Sequence, residues 1–275
     1  MTPLVVKFGG ELLEDAERLD AVVCAMVNVA AARPLAIVHG AGKEIDRALK
    51  VAGLQKRQVD GLRITDAATL EVVVAVLGAV NTRLVAALAK AGVSAVGLTG
   101  ADGNCGLADV APPHASVDGR LVDLDQVGVP SDRADMRLLS TLLRDRFVPV
   151  IACIGLAADG RLLNVNADTF AGHVAARLGA LRLVIAGTTP GVLDQSDATV
   201  PVVDPAAMER LINGGTATAG MIAKLRACEH ALAHGVGDVV IVDGRDGAAL
   251  EAASIATAPP TATRLVATAT AGRRA

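Results

Sequence analysis

The chain has 275 residues, 52% hydrophobic and 20% charged, with 26 basic against 29 acidic side chains and a net charge of −3. That length suits one large α/β domain or two modest lobes around a sizeable core. The balanced charge denies it the basic field that nucleic-acid binders use against phosphates. Three Phe with no Tyr or Trp leave almost no surface on which bases could stack. No apolar run reaches the roughly 18 residues of a bilayer span; the longest, residues 67–80, is interrupted by Glu71 and closes on Asn81 and Arg83. The opening residues lack a basic stretch and a long apolar one, so no signal peptide and a cytoplasmic location are expected. Cys24, Cys105, Cys153 and Cys228 form no Cys-x-x-Cys pair and are expected to be buried, reduced thiols.

In chain order, short β-branched runs alternate with longer Ala/Leu-rich segments. Residues 4–8, 35–39, 93–98, 148–154, 181–186 and 238–243 are predicted strands, and their near-continuous apolar character suits burial on both faces. Residues 14–32, 43–52, 66–91, 134–146, 168–178, 205–212 and 221–235 are predicted helices. This alternation implies an α/β, three-layer αβα sandwich on a mostly parallel open sheet. Residues 105–127 break the pattern with Pro112-Pro113 and Asp118-Gly119, which predicts an antiparallel excursion. A lobe boundary is expected at Asp159-Gly160, dividing the chain into 1–160 and 161–275. Residues 263–267 are expected to form a last strand before a disordered Gly-Arg-Arg-Ala end.

Open parallel sheets bind ligands beyond the carboxyl ends of their strands. Three successive predicted strand ends are glycine-rich: Gly9-Gly10, Gly40-Ala41-Gly42 and Gly100-Ala101-Asp102-Gly103. Glycine lets backbone N–H groups converge on an anion, and the helices that follow add their positive ends. Together the three turns suggest a surface for phosphates. Neither a Walker A loop nor a dinucleotide fingerprint is present, because Gly42-Lys43 runs into Glu44 and Ile45 occupies the third small position.

Lys7 lies in an apolar strand just before the first glycine pair, where it must snorkel or meet an anion. Lys224 falls near the start of a helix, which the dipole disfavours unless an anion sits there too. Asn164-Val165-Asn166-Ala167-Asp168 places two amides at i, i+2 ahead of a carboxylate. Asp168 is a good helix N-cap, and it could also hold both ammonium groups in place. Arg63, in Gly61-Leu62-Arg63-Ile64-Thr65-Asp66, could clamp a carboxylate, with Thr65 or Asp66 capping the long helix. His230 and His234 share a helix face but no further ligand for zinc is evident. His39 fits a structural hydrogen-bonding role better than that of a base.

These motifs, with Val5-Val6-Lys7-Phe8-Gly9-Gly10, Pro190-Gly191-Val192-Leu193 and Gly220-Met221-Ile222-Ala223-Lys224-Leu225, occur in an order that resembles the amino acid kinase family along nearly the whole chain. The Gly-Leu-Arg-x-Thr-Asp and Asn-x-Asn-Ala-Asp segments resemble the branch that phosphorylates N-acetylglutamate. The resemblance implies an N-terminal lobe that binds acetylglutamate and forms a homodimer, and a C-terminal lobe that binds ATP with Mg²⁺ carried on it. Lys7 and Lys224 would stabilise the transferring phosphoryl group, with Asp168 orienting both. Arg63 and Asn164 would hold the substrate, Ala41 and Gly42 would border it, and Gly9 and Gly10 would face the phosphates. Thr188, Gly191, Leu193, Thr216 and Thr218 would lie along the nucleotide. Ala41 departs from the family's middle glycine, and Thr188 from its aspartate. A relative acting on carrier-bound aminoadipate or glutamate, or a catalytically silent sensor on the same fold, are the other readings. Arginine-inhibited members carry a helix before the first strand. Only three residues precede the first strand predicted here, so a dimer indifferent to arginine is expected.

Overall fold

The computed structural model describes residues 1–213 and 219–267. Eight strands form the main sheet: β1 (Leu4–Phe8), β2 (Leu35–His39), β3 (Ala95–Thr99), β4 (Val148–Ala152), β5 (Arg182–Gly187), β6 (Val202–Val203), β7 (Asp238–Asp243) and β8 (Thr263–Leu265), in the order β6-β8-β7-β5-β1-β2-β4-β3. All neighbours run parallel except β7 and β8. The chain winds outward from β1 through β2 in its first half and through β5 in its second. β1 is therefore the sheet's centre, where strand order reverses and ligands of open sheets bind. Every residue of β1 is buried, Lys7 included, as a strand covered on both faces requires.

Helices α1 (Ala16–Ala32), α3 (Ala67–Lys90) and α8 (Gly247–Ile255) cover one face; α4 (Arg137–Arg144), α5 (Ala167–Arg177) and α7 (Ala219–Ala233) cover the other. Helix α2 (Gly42–Val51) packs on α3, and α6 (Pro205–Asn213) on α7. Caps fix the starts: Asp15, Asp66 and Asp246 each accept the N–H three residues on, at 2.9, 2.9 and 3.0 Å. A second sheet of four short strands, ordered Ile154–Leu156, Leu162–Val165, Val127–Pro130 and Ala108–Val110, stands beyond the end of β4. Two hairpins, Gln58–Val59 with Leu62–Arg63 and His114–Ala115 with Leu121–Val122, lie outside both sheets.

The expected αβα class is therefore the observed one, with local differences. The predicted strand 148–154 divides at Cys153: β4 ends at Ala152 and Ile154 pairs antiparallel with Asn164 in the second sheet. Helix α8 and strand Leu162–Val165 were not expected; neither has a long periodic pattern. Cys24 is exposed on α1, against the expectation that all four thiols are buried. The terminal Gly-Arg-Arg-Ala lies outside the described residues.

Helix α3 is long and apolar enough, by length and composition, to cross a membrane, contrary to the run-length reading. In the fold its Val73, Leu77, Val80, Leu84 and Leu88 are buried against the sheet and neighbouring helices. The break in its apolar run points inward. Asn81 donates to Val150 O at 2.9 Å and meets His39 Nε2 at 3.0 Å, while Arg83 donates to Leu13 O at 2.9 Å and to Glu44 at 2.5 Å. His39 is thus structural as expected; burial pushes its ring down to about 4, so it stays neutral.

At the amino-terminal edge of the sheet, Asp238 accepts two bonds from Arg182, at 2.8 and 3.0 Å, and one from Arg264, at 2.7 Å. The Asp238 side chain is 7% exposed. Removing a buried partner strands the other charge. We expect Asp238→Ala to lower the free energy of urea unfolding by about 3 kcal/mol while leaving KM values unchanged, since the ligand-binding edge is the opposite one.

Candidate active site

The carboxyl ends of β1 and β2 open into a cleft of about 260 Å³ lined by Lys7, the Gly9-Gly10 turn, residues 40–42, Arg63, Asn164 and Asp168. The backbone is tightly drawn here: Gly9 N–H donates to Ala186 O at 2.9 Å and Gly40 N–H to Phe8 O at 3.2 Å. Gly10 is demanded by contact, because a Cβ there would lie 2.6 Å from Ala41 Cα. Ala41 itself sits at φ −150°, so its methyl costs nothing in backbone strain. Gly42 opens α2 with empty space above its Cα. No side chain caps this helix, so its first N–H groups and its positive dipole end are free to meet an anion.

Asp168 accepts from both lysines: Lys7 Nζ lies 2.8 Å from Oδ1 and Lys224 Nζ 3.2 Å from Oδ2. Lys7 is delivered by the central strand, Asp168 by the first turn of α5, and Lys224 by α7. The capping role expected of Asp168 falls instead to Asn166, whose Oδ1 accepts the N–H groups of Asp168 and Thr169 at 2.9 and 3.1 Å. An amide one position outside the helix does the capping, and the carboxylate is released to the lysines. The three side chains are 8%, 14% and 16% exposed for Lys7, Asp168 and Lys224. Burial alone would raise the Asp168 carboxyl, but Lys7 and then Lys224 hold it well below the usual carboxylate range. Burial pulls Lys7 down, and Asp168 more than offsets this, leaving it above its ordinary value. Lys224 falls below its ordinary value, through burial first and repulsion from Lys7 second, with Asp168 only partly compensating. Two ammonium groups share one carboxylate, so the three side chains sum to one positive charge, with Glu11 on the cleft wall also acting on Lys7. The Cys153 and Cys228 thiols are each pushed up to about 12 by burial and remain neutral beside it.

Arg63 comes from the hairpin on the other side of the cleft. Its Nη2 donates to Asp46 Oδ1 at 2.5 Å, and Asp46 is braced by Lys56 at 2.8 Å. Its Nη1 is buried without a partner among the described residues. A buried guanidinium nitrogen is expensive to leave unpaired, so this one marks a place for an acceptor. Asn164 donates to Thr65 Oγ1 at 3.0 Å, and Thr65 donates to Arg63 O at 3.2 Å, which ties the strand to the hairpin.

Beyond β5, Thr188 is half-buried at the strand end. Gly191 has φ +100° and packs so closely on Thr263 that a Cβ would lie 2.5 Å from Oγ1, while Leu193 bridges Thr199. This segment shares the carboxyl edge with Gly9, whose N–H donates to Ala186 O at 2.9 Å just before it. Thr216 and Thr218 lie outside the described residues. Glu11 also lines the cleft and was not anticipated. Its carboxylate folds over Gly9, where a Cβ would meet it at 2.4 Å; the glycine pair preceding it was the available signal.

Residues 2–243 match the amino acid kinase family. The chain is 41% identical over 256 residues to an acetylglutamate kinase of Novosphingobium aromaticivorans, covering 88% of this chain and 83% of that one. It is likewise 41% identical over 250 residues to an acetylglutamate kinase of Nitrobacter hamburgensis, with the same coverage. Among solved structures, N-acetylglutamate synthase from Neisseria gonorrhoeae superposes with a TM-score of 0.82 at 24% identity. That match covers 96% of this chain but 59% of the longer protein, and it speaks for the fold alone. The protein smu.665 of Streptococcus mutans matches with a TM-score of 0.77 at 28% identity, over 88% of this chain and 94% of that one. The chain belongs to the amino acid kinase family, enzymes that move phosphoryl groups.

The depressed Lys224 gives a pH signature. On the expectation that Lys224 acts as an ammonium, kcat/KM should fall as pH rises through the Lys224 pKa, below the ordinary 10.5. In Asp168→Asn the compensating carboxylate is gone, and the alkaline limb should move to still lower pH. A pH–rate profile with the limb unmoved in that variant would contradict the assigned coupling.

Proposed function

We propose that this enzyme transfers the γ-phosphoryl group of ATP to the γ-carboxylate of N-acetyl-L-glutamate, forming an acyl phosphate in arginine biosynthesis. The observation that carries the reading is the pairing of two things in one cleft. One is the net positive Lys7–Asp168–Lys224 cluster; the other is the orphaned Arg63 Nη1. The cluster suits a phosphoryl group in flight, and the arginine suits the α-carboxylate of an amino-acid substrate. The names of the relatives above support the choice of substrate.

In this mechanism a carboxylate oxygen attacks the γ-phosphorus in line, and the bond to the β-phosphate oxygen breaks to release ADP. A carboxylate is already ionised at neutral pH, so no base is required. Lys7 meets charge on one side of the phosphoryl group and Lys224 on the other, with the free N–H groups at Gly10 and Gly42 completing the cradle. Among the described residues no three metal-ligating side chains converge, and Asp168 is committed to its lysines. That donor set fits a Mg²⁺ held by the nucleotide's own phosphates, where it would neutralise developing charge. Residues 1–160 would form the acetylglutamate side. Residues 161–275 would form the nucleotide side, with Thr188, Gly191 and Leu193 along it.

The enzyme is proposed to work as a cytoplasmic homodimer built on α3. Only 33% of the most apolar window of that helix is buried within the chain, and the small residues Ala75, Gly78, Ala79, Thr82 and Ala86 are exposed on it. Light scattering should give the mass of two chains; a monomer would remove α3 from this role.

Release of ADP should depend on acetylglutamate and be weak with glutamate or aspartate; activity confined to another acceptor would overturn the reading. Lys7→Ala and Lys224→Ala should each lower kcat by about 10²–10³ with small changes in KM. Arg63→Ala should raise the KM for acetylglutamate roughly 10–100-fold, the value of a charged hydrogen bond, with the KM for ATP unchanged.

A further inference from the structure

A second cavity, of about 510 Å³ and mostly apolar, lies on the far side of the elements that build the active site. Its walls include Leu62 of one hairpin, Ala115 of the other, Thr169 and His173 of α5, and Ala223 of α7. Three of these residues are chain neighbours of active-site groups: Leu62 precedes Arg63, Thr169 follows Asp168, and Ala223 precedes Lys224. Leu62 lines both cavities. An occupant would therefore press on the substrate arginine, the shared carboxylate and the second lysine together.

The cavity contains a vacant hydrogen-bonding position. His173 is 4% exposed, and its Nε2 is buried without a partner among the described residues. Natural interiors rarely leave such a group unsatisfied. Burial pushes the ring down to about 4, so it is neutral and suits a neutral partner. Helices α5 and α7 touch closely one turn further along, where a Cβ on Gly172 would lie 3.1 Å from Ala227 O. The cavity runs along both sides of that crossing, from Thr169 and Ala223 at the cluster end to Ala227 and His230 at and past it. A molecule at the cluster end would bear on the two helix starts. The Lys224–Asp168 contact, 3.2 Å against 2.8 Å for Lys7, is the looser of the two and would stretch first.

We propose that this cavity is an effector site for an uncharged, largely apolar small molecule with one hydrogen-bonding group directed at His173 Nε2, and that occupancy slows turnover by drawing Lys224 from Asp168. The turnover part rests on the phosphotransfer reading; binding, and its effect on Lys224, do not.

The probe is 2-naphthol, added to the whole enzyme. Calorimetry should show saturable binding with a Kd below about 1 mM, as expected of a fragment of this size. In ¹⁵N-lysine-labelled protein the Lys224 ammonium should titrate at lower pH when the probe is bound. With acetylglutamate and ATP, kcat should fall severalfold without competition against either substrate. His173→Leu should weaken binding about five-fold, one hydrogen bond's worth. Ala115→Trp, which fills the cavity from an exposed hairpin, should abolish binding with an unchanged melting temperature. Absence of saturable binding, binding that survives Ala115→Trp, or competition with acetylglutamate would overturn the site. Binding with an unmoved Lys224 titration would overturn its coupling. Inactivity toward acetylglutamate would sink the phosphotransfer reading while the calorimetric and lysine measurements still judge the cavity.

Discussion

One carboxylate held between two ammonium groups organises this molecule. Lys7 is buried in the central strand of an eight-stranded sheet, a position where a lone charge would cost several kcal/mol. Asp168 makes it tenable at 2.8 Å, and by accepting Lys224 as well it fastens α7 to the same point. Much of the surrounding backbone follows from keeping that carboxylate free. Asn166 takes the capping bonds of α5, and at Gly10 the absence of a side chain lets the first glycine turn close onto Ala41.

The resulting imbalance suits the proposed phosphoryl transfer. A symmetric ion pair would be electrostatically closed, but two cations on one anion leave a positive charge in a low-dielectric cleft, where it counts for more than in water. The strain shows in the two lysines' opposite shifts, Lys7 upward and Lys224 downward. A phosphoryl group entering between them supplies the missing negative charge. The opposite wall repeats the logic on a smaller scale, with Asp46 holding one nitrogen of Arg63 and leaving the other unpaired.

The sequence carried the central strands and the cluster for identifiable reasons. β1 and β2 are short, mostly apolar runs closed by glycine, and their predicted and observed limits coincide. Lys7 was legible because a lysine in such a run has no bland explanation. What was lost depended on three-dimensional partners. Asn81 looked like a polar break in an exposed apolar helix, but its amide reaches a β4 carbonyl and the ring of His39, contacts that no local pattern encodes. The strand 148–154 looked continuous because both sheets that share it are apolar. Asp168 looked like a cap because Asn and Asp two residues apart compete for one role, and only geometry decides between them. His173 and the cavity behind the cluster had no motif to announce them.

The central claim is that the cluster holds one positive charge too many until an anion arrives. Calorimetry near pH 9 in two buffers of different ionisation enthalpy reads this directly, as protons exchanged when acetylglutamate and MgADP–aluminium fluoride bind. The account predicts net proton uptake as Lys224 is drawn back toward its ordinary value, and its disappearance in Lys224→Ala. No uptake, or uptake of the same size in that variant, would contradict it.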